Sequence, residues 1–243
     1  MGFNAVKTFT SVSYTRLSDY EQCPLFANYK HLVKLPTPKN DAMQRGADIA
    51  DATDEWFKGT RRTMPKELAP LKSEYQLIKK DKSTVAEANW GFTRTWEPCS
   101  PTDWNRCWLR VKIDIQRITP DGKILKIDDS KTGKYSEYKV AGYEDQLRLY
   151  TTTGVIMFPK VQEIQTRLLF SDLGLIHPNT GPRTYTAKEA VAMRKDWERR
   201  FKPMMADTKF APRPGPYCRW CPFSKNATDK DGKPLITAGK CKY

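Results

Sequence analysis

The stretch Leu109–Lys134, LRVKIDIQRITPDGKILKIDDSKTGK, leaves the chain little local choice. Leu109, Val111, Ile113 and Ile115 alternate with Arg110, Lys112, Asp114 and Gln116. That is the period of a strand with one buried face. Thr119-Pro120-Asp121-Gly122 is a turn signal, because proline presets its backbone angle and glycine accepts positive φ. Leu125, Ile127, Asp129 and Lys131 then share one face of a returning strand. The stretch reads as a β-hairpin turning near Asp121, which sets Asp114 opposite about residue 128, within one position.

Facing side chains on antiparallel strands lie about 5 Å apart. The hairpin therefore brings Asp114 and Asp129 together, with Lys131 one step along Asp129's face. Two carboxylates at that spacing can share a hard divalent cation such as Mg²⁺. A neighbouring lysine can orient a water and offset developing phosphate charge. An arbitrary Asp-x-Lys is most often a pair of solvated charges. This one ends an apolar strand, runs into Thr132-Gly133, and meets a second Asp across the hairpin.

These residues resemble the PD-(D/E)XK nuclease superfamily, and within it the RecB-like branch. That branch has an Asp on one strand, D-x-K-T-G on the next, and Q-x-x-x-Y on a later helix. The corresponding residues here are Asp114, then Asp129-Ser130-Lys131-Thr132-Gly133, then Gln146-Leu147-Arg148-Leu149-Tyr150. The resemblance implies an α/β fold: a restriction-endonuclease-like αβββαβ core over about residues 40–207, within one nuclease domain spanning 1–243. It implies that Asp114, Asp129 and the Ser130 carbonyl hold Mg²⁺ or Mn²⁺, that Lys131 activates water, and that Gln146 and Tyr150 line the groove. In the family a helix ahead of the sheet carries G-x-x-x-H. Gly46 is present, but position 50 is Ala. Asp51 and Asp54 are candidates to supply an oxygen in place of the imidazole, or are solvated helix charges. Glu87 is a candidate accessory acid; an exposed strand glutamate is its commoner reading.

The six cysteines, in a chain with no evident secretory leader, point to metal or cluster binding before disulfides. Cys23-Pro24 near one end and Cys218-Arg219-Trp220-Cys221 with Cys241 near the other resemble the iron–sulfur staple of RecB-like nucleases. The resemblance implies a [4Fe–4S] cluster on Cys23, Cys218, Cys221 and Cys241 that joins residues 11–30 to residues 210–243. The gap from Cys221 to Cys241 is longer than usual. Zinc on the same four thiolates is the alternative. Cys99 and Cys107 have no spacing signature and read as buried free thiols.

Lys and Arg number 42 against 28 Asp and Glu, a formal charge of +14. Such a charge favours a polyanion, nucleic acid first and an acidic membrane surface second. A soluble basic protein without such a partner would look the same by charge. No run of about 18 apolar residues suggests a membrane span, and the first residues lack the apolar core of a signal peptide. Gly2 is not a convincing acylation site, and Asn226-Ala227-Thr228 is a glycosylation sequon in form only.

Along the chain, Ser13 or Ser18 is set to cap a first helix, and a second runs from about Asn40 to Lys58. Residues 60–71 read as a basic loop, 75–78 and 84–92 as strands, and 93–105 as an insertion. A helix is expected over 140–152 and a strand over 161–170, joined to the hairpin by a right-handed parallel crossover. Arg167 is expected to line the groove, and residues 173–183 to form a loop. Thr186-x-x-Glu189 is a capping box opening a helix to about Met205, with a basic face of Arg194, Lys195, Arg199, Arg200 and Lys202. Residues 224–240 read as an inserted loop or hairpin.

The expected function, as the resemblance implies, is a metal-dependent DNA exonuclease acting on duplex ends or single strands. The expected setting is the cytoplasm, in DNA recombination, repair or replication beside proteins of those processes, including in a virus of bacteria. The alternative is a non-catalytic nucleic-acid-binding module that kept the fold and the cysteine site. Ala50 favours it; Asp114, Asp129 and Lys131 oppose it.

Overall fold

The computed structural model describes residues 8–38 and 41–243. Gly2 and the expected helix start at Asn40 lie outside the described residues. The chain divides into two compact units, Met1–Lys39 with Glu198–Tyr243, and Asn40–Trp197.

The first unit begins with α1, Tyr14–Gln22, whose N-cap Ser13 accepts a hydrogen bond from the Arg16 N–H. That capping satisfies one of the donors a helix start leaves open. Cys23 takes an extended conformation and Pro24 opens α2, Pro24–Ala27, the position where a missing N–H costs nothing.

The second unit is built on a seven-stranded sheet. Ahead of it come α3, Asp41–Lys58, a 3₁₀ turn over Lys66–Leu71, and α4, Lys72–Lys80. The strands are β1 (Val85–Phe92), β2 (Pro98–Cys99), β3 (Leu109–Ile118) and β4 (Ile124–Lys131), then, after α5 (Glu137–Met157), β5 (Glu163–Phe170), β6 (Leu175–His177) and β7 (Arg183–Thr186). Their order is β2-β1-β3-β4-β5-β6, with β7 also on β5. β1, β3 and β4 form an antiparallel meander, and β4 pairs in parallel with β5. The β3–β4 turn is closed by the Gly122 N–H donating to Thr119 O at 2.8 Å, with Gly122 at φ 72°. The parallel pair needs a crossover, which α5 supplies.

One buried cluster joins Trp56, Leu68, Leu71, Tyr75 and Ile78 to Ile115 and Leu169 of the sheet. α5 approaches the sheet closely at Gly154, where a Cβ would lie 2.6 Å from Leu125 Cδ2. Trp90 Nε1 donates to Gln116 Oε1 at 3.0 Å, which satisfies two buried polar groups together.

Residues 75–78 are helix, contrary to the strand expected there. Tyr75 and Ile78 are buried while Leu77 is 62% exposed, the i, i+3 pattern of a helix face. Part of the expected 60–71 loop is the 3₁₀ turn, the 93–105 insertion contributes β2, and β6 lies inside the expected 173–183 loop. The Thr186–Glu189 capping box is present and opens α6, Ala187–Ala192. The expected single helix to Met205 is broken at Met193 and resumes as α7, Arg194–Ala206. Two residues of its basic face have structural partners: Arg194 lies over the Trp96 ring, and Arg200 holds Glu21 through two 2.8 Å bonds.

In the first unit the tail packs through aromatic rings. Phe9 meets Phe210, and Phe223 meets Phe26 and Tyr29. The Tyr20 hydroxyl donates to Asp207 Oδ2 at 2.9 Å. A bridge between Thr228 and Pro234 makes a small hairpin within residues 224–240. No helix among the described residues is long and apolar enough to cross a membrane.

Candidate active site

The β3–β4 register pairs Ile115 with Asp128, and continuing it by one step sets Asp114 across from Asp129. The Ser130 N–H donates to Asp114 Oδ2 at 2.9 Å. Asp129 Oδ2 lies 2.5 Å from Lys131 Nζ, and both side chains are largely buried. Burial, and after it the Asp129 charge, push the Asp114 carboxyl up to about 7. Burial alone would lower the Lys131 ammonium, but Asp129 and Asp114 outweigh it and hold it raised. The group therefore stays charged near neutrality.

Lys131 reaches across to α5. Its ammonium donates to Gln146 Oε1 at 3.5 Å and sits 4.4 Å from the Tyr143 ring centre. Gln146 Nε2 in turn donates to the Tyr150 hydroxyl at 2.5 Å. Tyr143, Gln146 and Tyr150 are spaced by three and four, one stripe of a helix. Sequence reasoning misses Tyr143, although that spacing from Gln146 marks it.

Asp128, the residue before Asp129 in the chain, serves the fold. It meets Arg117 at 2.5 Å and Arg167 at 2.6 Å, and Arg167 also meets Glu74 at 2.7 Å. Arg167 therefore does not line a groove as expected. It is spent on neutralising a carboxylate that is 1% exposed, which cannot stay charged and buried alone. Ser130 is held from below, its hydroxyl 3.0 Å from the Tyr75 hydroxyl, which also bonds Ser171 at 2.8 Å.

A second group fixes the turn after Lys131. Gly133, at φ 90°, donates its N–H to Asp172 Oδ2 at 2.7 Å. Arg45 of α3 donates twice to the same carboxylate, at 2.8 Å each. Gly46 follows, where a Cβ would lie 3.3 Å from Thr132 Oγ1. Arg45, Tyr75 and Asp172 carry no recognisable local motif, and only the fold brings them to this strand.

Ala50, Asp54, Glu87, Asp114 and Ser130 line one cavity of about 70 Å³, room for several water-sized groups. Asp54 Oδ2 pairs with Lys58 at 2.6 Å, while its Oδ1 is buried with no hydrogen-bond partner. Asp51 is exposed and lies outside this lining. Glu87 pairs with Lys112. It falls between the pairs Ala86–Ile115 and Ala88–Ile113, across from Asp114. Its φ of 52° is unusual inside a strand and marks stored strain of the kind found at working sites.

In the first unit, Cys23, Cys218, Cys221 and Cys241 line one cavity. Burial first, then the three other cysteines, push the Cys221 thiol up. The Cys23 and Cys218 sulfurs accept backbone N–H groups of Arg213 and Gly215, each at 3.4 Å. Among the described residues, no group of three or more His, Cys, Asp or Glu is arranged so that it could hold a metal ion. Cys107 is buried and Cys99 half-buried.

A family model for the PD-(D/E)XK nuclease superfamily matches residues 11–225. The chain belongs to that superfamily. A search among curated proteins gave no match. Membership in the PD-(D/E)XK superfamily carries nuclease chemistry in general, and with it DNA as substrate and Mg²⁺ or Mn²⁺ as usual metals. The mixed α/β architecture with its central sheet agrees with a restriction-endonuclease-like fold.

Proposed function

We propose that this protein is a metal-dependent DNA exonuclease whose centre is Asp114, Asp129 and Lys131. The observation that carries the reading is the buried carboxylate pair: Asp129 helps drive Asp114 to about 7 while a charged lysine stands 2.5 Å from Asp129. Asp54 Oδ1, buried without a hydrogen-bond partner in the same cavity as Asp114, adds an oxygen suited to a hard cation. Two carboxylates and the Ser130 carbonyl would hold Mg²⁺ or Mn²⁺, an ion that keeps several of its waters and so does not need three acidic ligands. Such an ion supplies an acidified water and offsets charge on the phosphate.

The protein's own groups do the rest. Lys131, kept protonated by Asp129, holds the attacking water in place and faces the phosphate. Gln146 takes a hydrogen bond from Lys131 and passes its own to Tyr150, so the three move as one row along the scissile strand. Glu87 and Asp54 act as accessory acids. Asp51, exposed and off the cavity, is left as a solvated charge.

The four cavity cysteines supply the soft donors of a [4Fe–4S] or zinc group; binding one would draw them together from the arrangement they hold here and order the first unit. The support is their shared cavity and the N–H groups donated to Cys23 and Cys218 sulfur. The proposed setting, intracellular DNA recombination, repair or replication, including in a bacterial virus, rests on the resemblance alone.

The test is cleavage of end-labelled single- and double-stranded DNA with Mg²⁺ or Mn²⁺, beside a closed circle. Loss of linear DNA with the circle intact is the expected result. A cut circle makes the enzyme an endonuclease. Binding with no cleavage in either metal favours the non-catalytic module that Ala50 suggests.

A further inference from the structure

The segment between β1 and β3 is tightly tied down, yet it presents one large aromatic ring to solvent. Trp96 and Cys107 are buried in it, and Trp96 packs edge-on against Trp108. Thr93 accepts from Trp96 at 2.9 Å and donates to Glu97 at 2.9 Å, and Cys107 donates to Asp103 at 2.8 Å. Trp104, between them, is 78% exposed. A single exposed aromatic is ordinary. This one differs because its ring is already backed: the Arg110 guanidinium lies 4.3 Å from the ring centre, and Arg110 Nε is pinned to Pro101 O at 2.8 Å. One face of the indole is covered by a fixed cation, and the ring is held for a partner on the other.

Its place relative to the site is set by the sheet. Arg110 pairs with Gly91, and a Cβ on Gly91 would meet Cys99 O and Pro101 at 2.8 Å. The loop therefore lies on the face of the sheet that Arg110 shares with Lys112, two residues on. Lys112 pairs with Glu87, which lines the cavity beside Asp114. The cations Arg110 and Lys112 thus run from Trp104 toward the centre. From Arg110 to Asp114 is four strand residues, about 13 Å, the span of about four stacked nucleotides.

We propose that Trp104, backed by Arg110, is a base-stacking subsite for an unpaired nucleotide of the bound strand, a few nucleotides from the Asp114–Asp129 centre. A base offers a π-face whatever its identity, so the subsite grips single strands without reading sequence. A pre-positioned ring loses little freedom when a base stacks on it. The inference rests on the nucleic-acid-cutting function proposed above.

The test is fluorescence anisotropy with a labelled 12-nucleotide oligo-dT in metal-free buffer, on an Asp129→Asn background. Trp104→Ala should weaken binding about 5- to 150-fold, the range for loss of one stacked base, and Trp104→Phe should keep most of the affinity. A series of oligonucleotides with one abasic position each should show one position where the background protein loses affinity and the Trp104→Ala protein does not. Unchanged affinity in Trp104→Ala, or an abasic series with no special position, overturns the subsite and leaves the ring to a protein partner. Because anisotropy needs no cleavage, a special position in a protein whose wild type cuts nothing would uphold the subsite and remove the nuclease. Cleavage without one would do the reverse.

Discussion

Asp172 accepts the backbone N–H of Gly133 at 2.7 Å, and so ties the end of β5 to the turn that follows Lys131. Arg45 holds the carboxylate in place. The arrangement orients the end of β4 without touching Asp114, Asp129 or Lys131, the role a supporting contact would have if these residues hold a metal.

Asp172→Asn and Arg45→Ala should each lower kcat about 10- to 100-fold, with KM for DNA little changed. The Arg45 hydrogen bonds hold Asp172 below the ordinary carboxylate range. Its folded value is depressed, so its contribution to stability is present above pH of about 4 and is lost as pH falls through the lowered value. Thermal melts from pH 6 to pH 2 should show that acid-side loss in the wild type and less of it in Asp172→Asn. Equal kcat in both variants would leave the contact purely structural.

Asp129→Asn and Lys131→Ala should each cut kcat by about 10³-fold, with DNA affinity largely kept by the remaining basic surface. Single-turnover cleavage and a binding isotherm on the same preparation measure both. Full activity in either purified variant would move the centre elsewhere. Binding itself should fall steeply with salt, since each phosphate contact releases counterion.

The hairpin is legible in the amino-acid pattern because alternation and a Pro-Asp-Gly turn fix its register within a residue, and register decides which acids meet. β5 is equally plain from its apolar alternation, whereas α5 is legible only in part, the expected 140–152 falling short of Glu137–Met157 at both ends. Residues 75–78 are not, since four residues with three apolar ones fit either period, and the exposure of Leu77 alone separates them. Arg167 is easily misread because a basic residue on a strand looks the same whether it faces substrate or a buried Asp128. Tyr75, Arg45 and Asp172 meet β4 only through tertiary packing, which no spacing announces.

On α3, Asp54→Ala should raise the Mg²⁺ or Mn²⁺ concentration needed for half-maximal cleavage about 10-fold, while Asp51→Ala should not. Ala50→His should lower it. Metal titrations of the three variants decide the matter. If all three match the wild type, α3 is no part of the site.

Anaerobic purification should yield brown protein with iron and sulfide in matching amounts, and Cys23→Ser, Cys218→Ser, Cys221→Ser or Cys241→Ser should destabilise it more than Cys99→Ser. Colourless protein with stoichiometric zinc keeps the ligands and removes the cluster. Metal-free protein whose Cys23 is alkylated while folded removes both.

Gly154→Ala drives a methyl into Leu125 Cδ2 and should cost about 1–3 kcal/mol by overpacking. Urea unfolding measures it. Gly142→Ala, where nothing lies within 4 Å, is the control and should not destabilise.

The parallel pairing of β4 with β5 also sets how late in the chain the candidate site can be completed. A nascent chain emerging from the ribosome can close the β3–β4 hairpin as soon as Lys131 is out, for that contact is local. The strand that neutralises Asp128 and the acid that holds Gly133 come about 40 residues later in the chain, at Arg167 and Asp172. Until that length has been made, the two acids have only the hairpin itself to hold them.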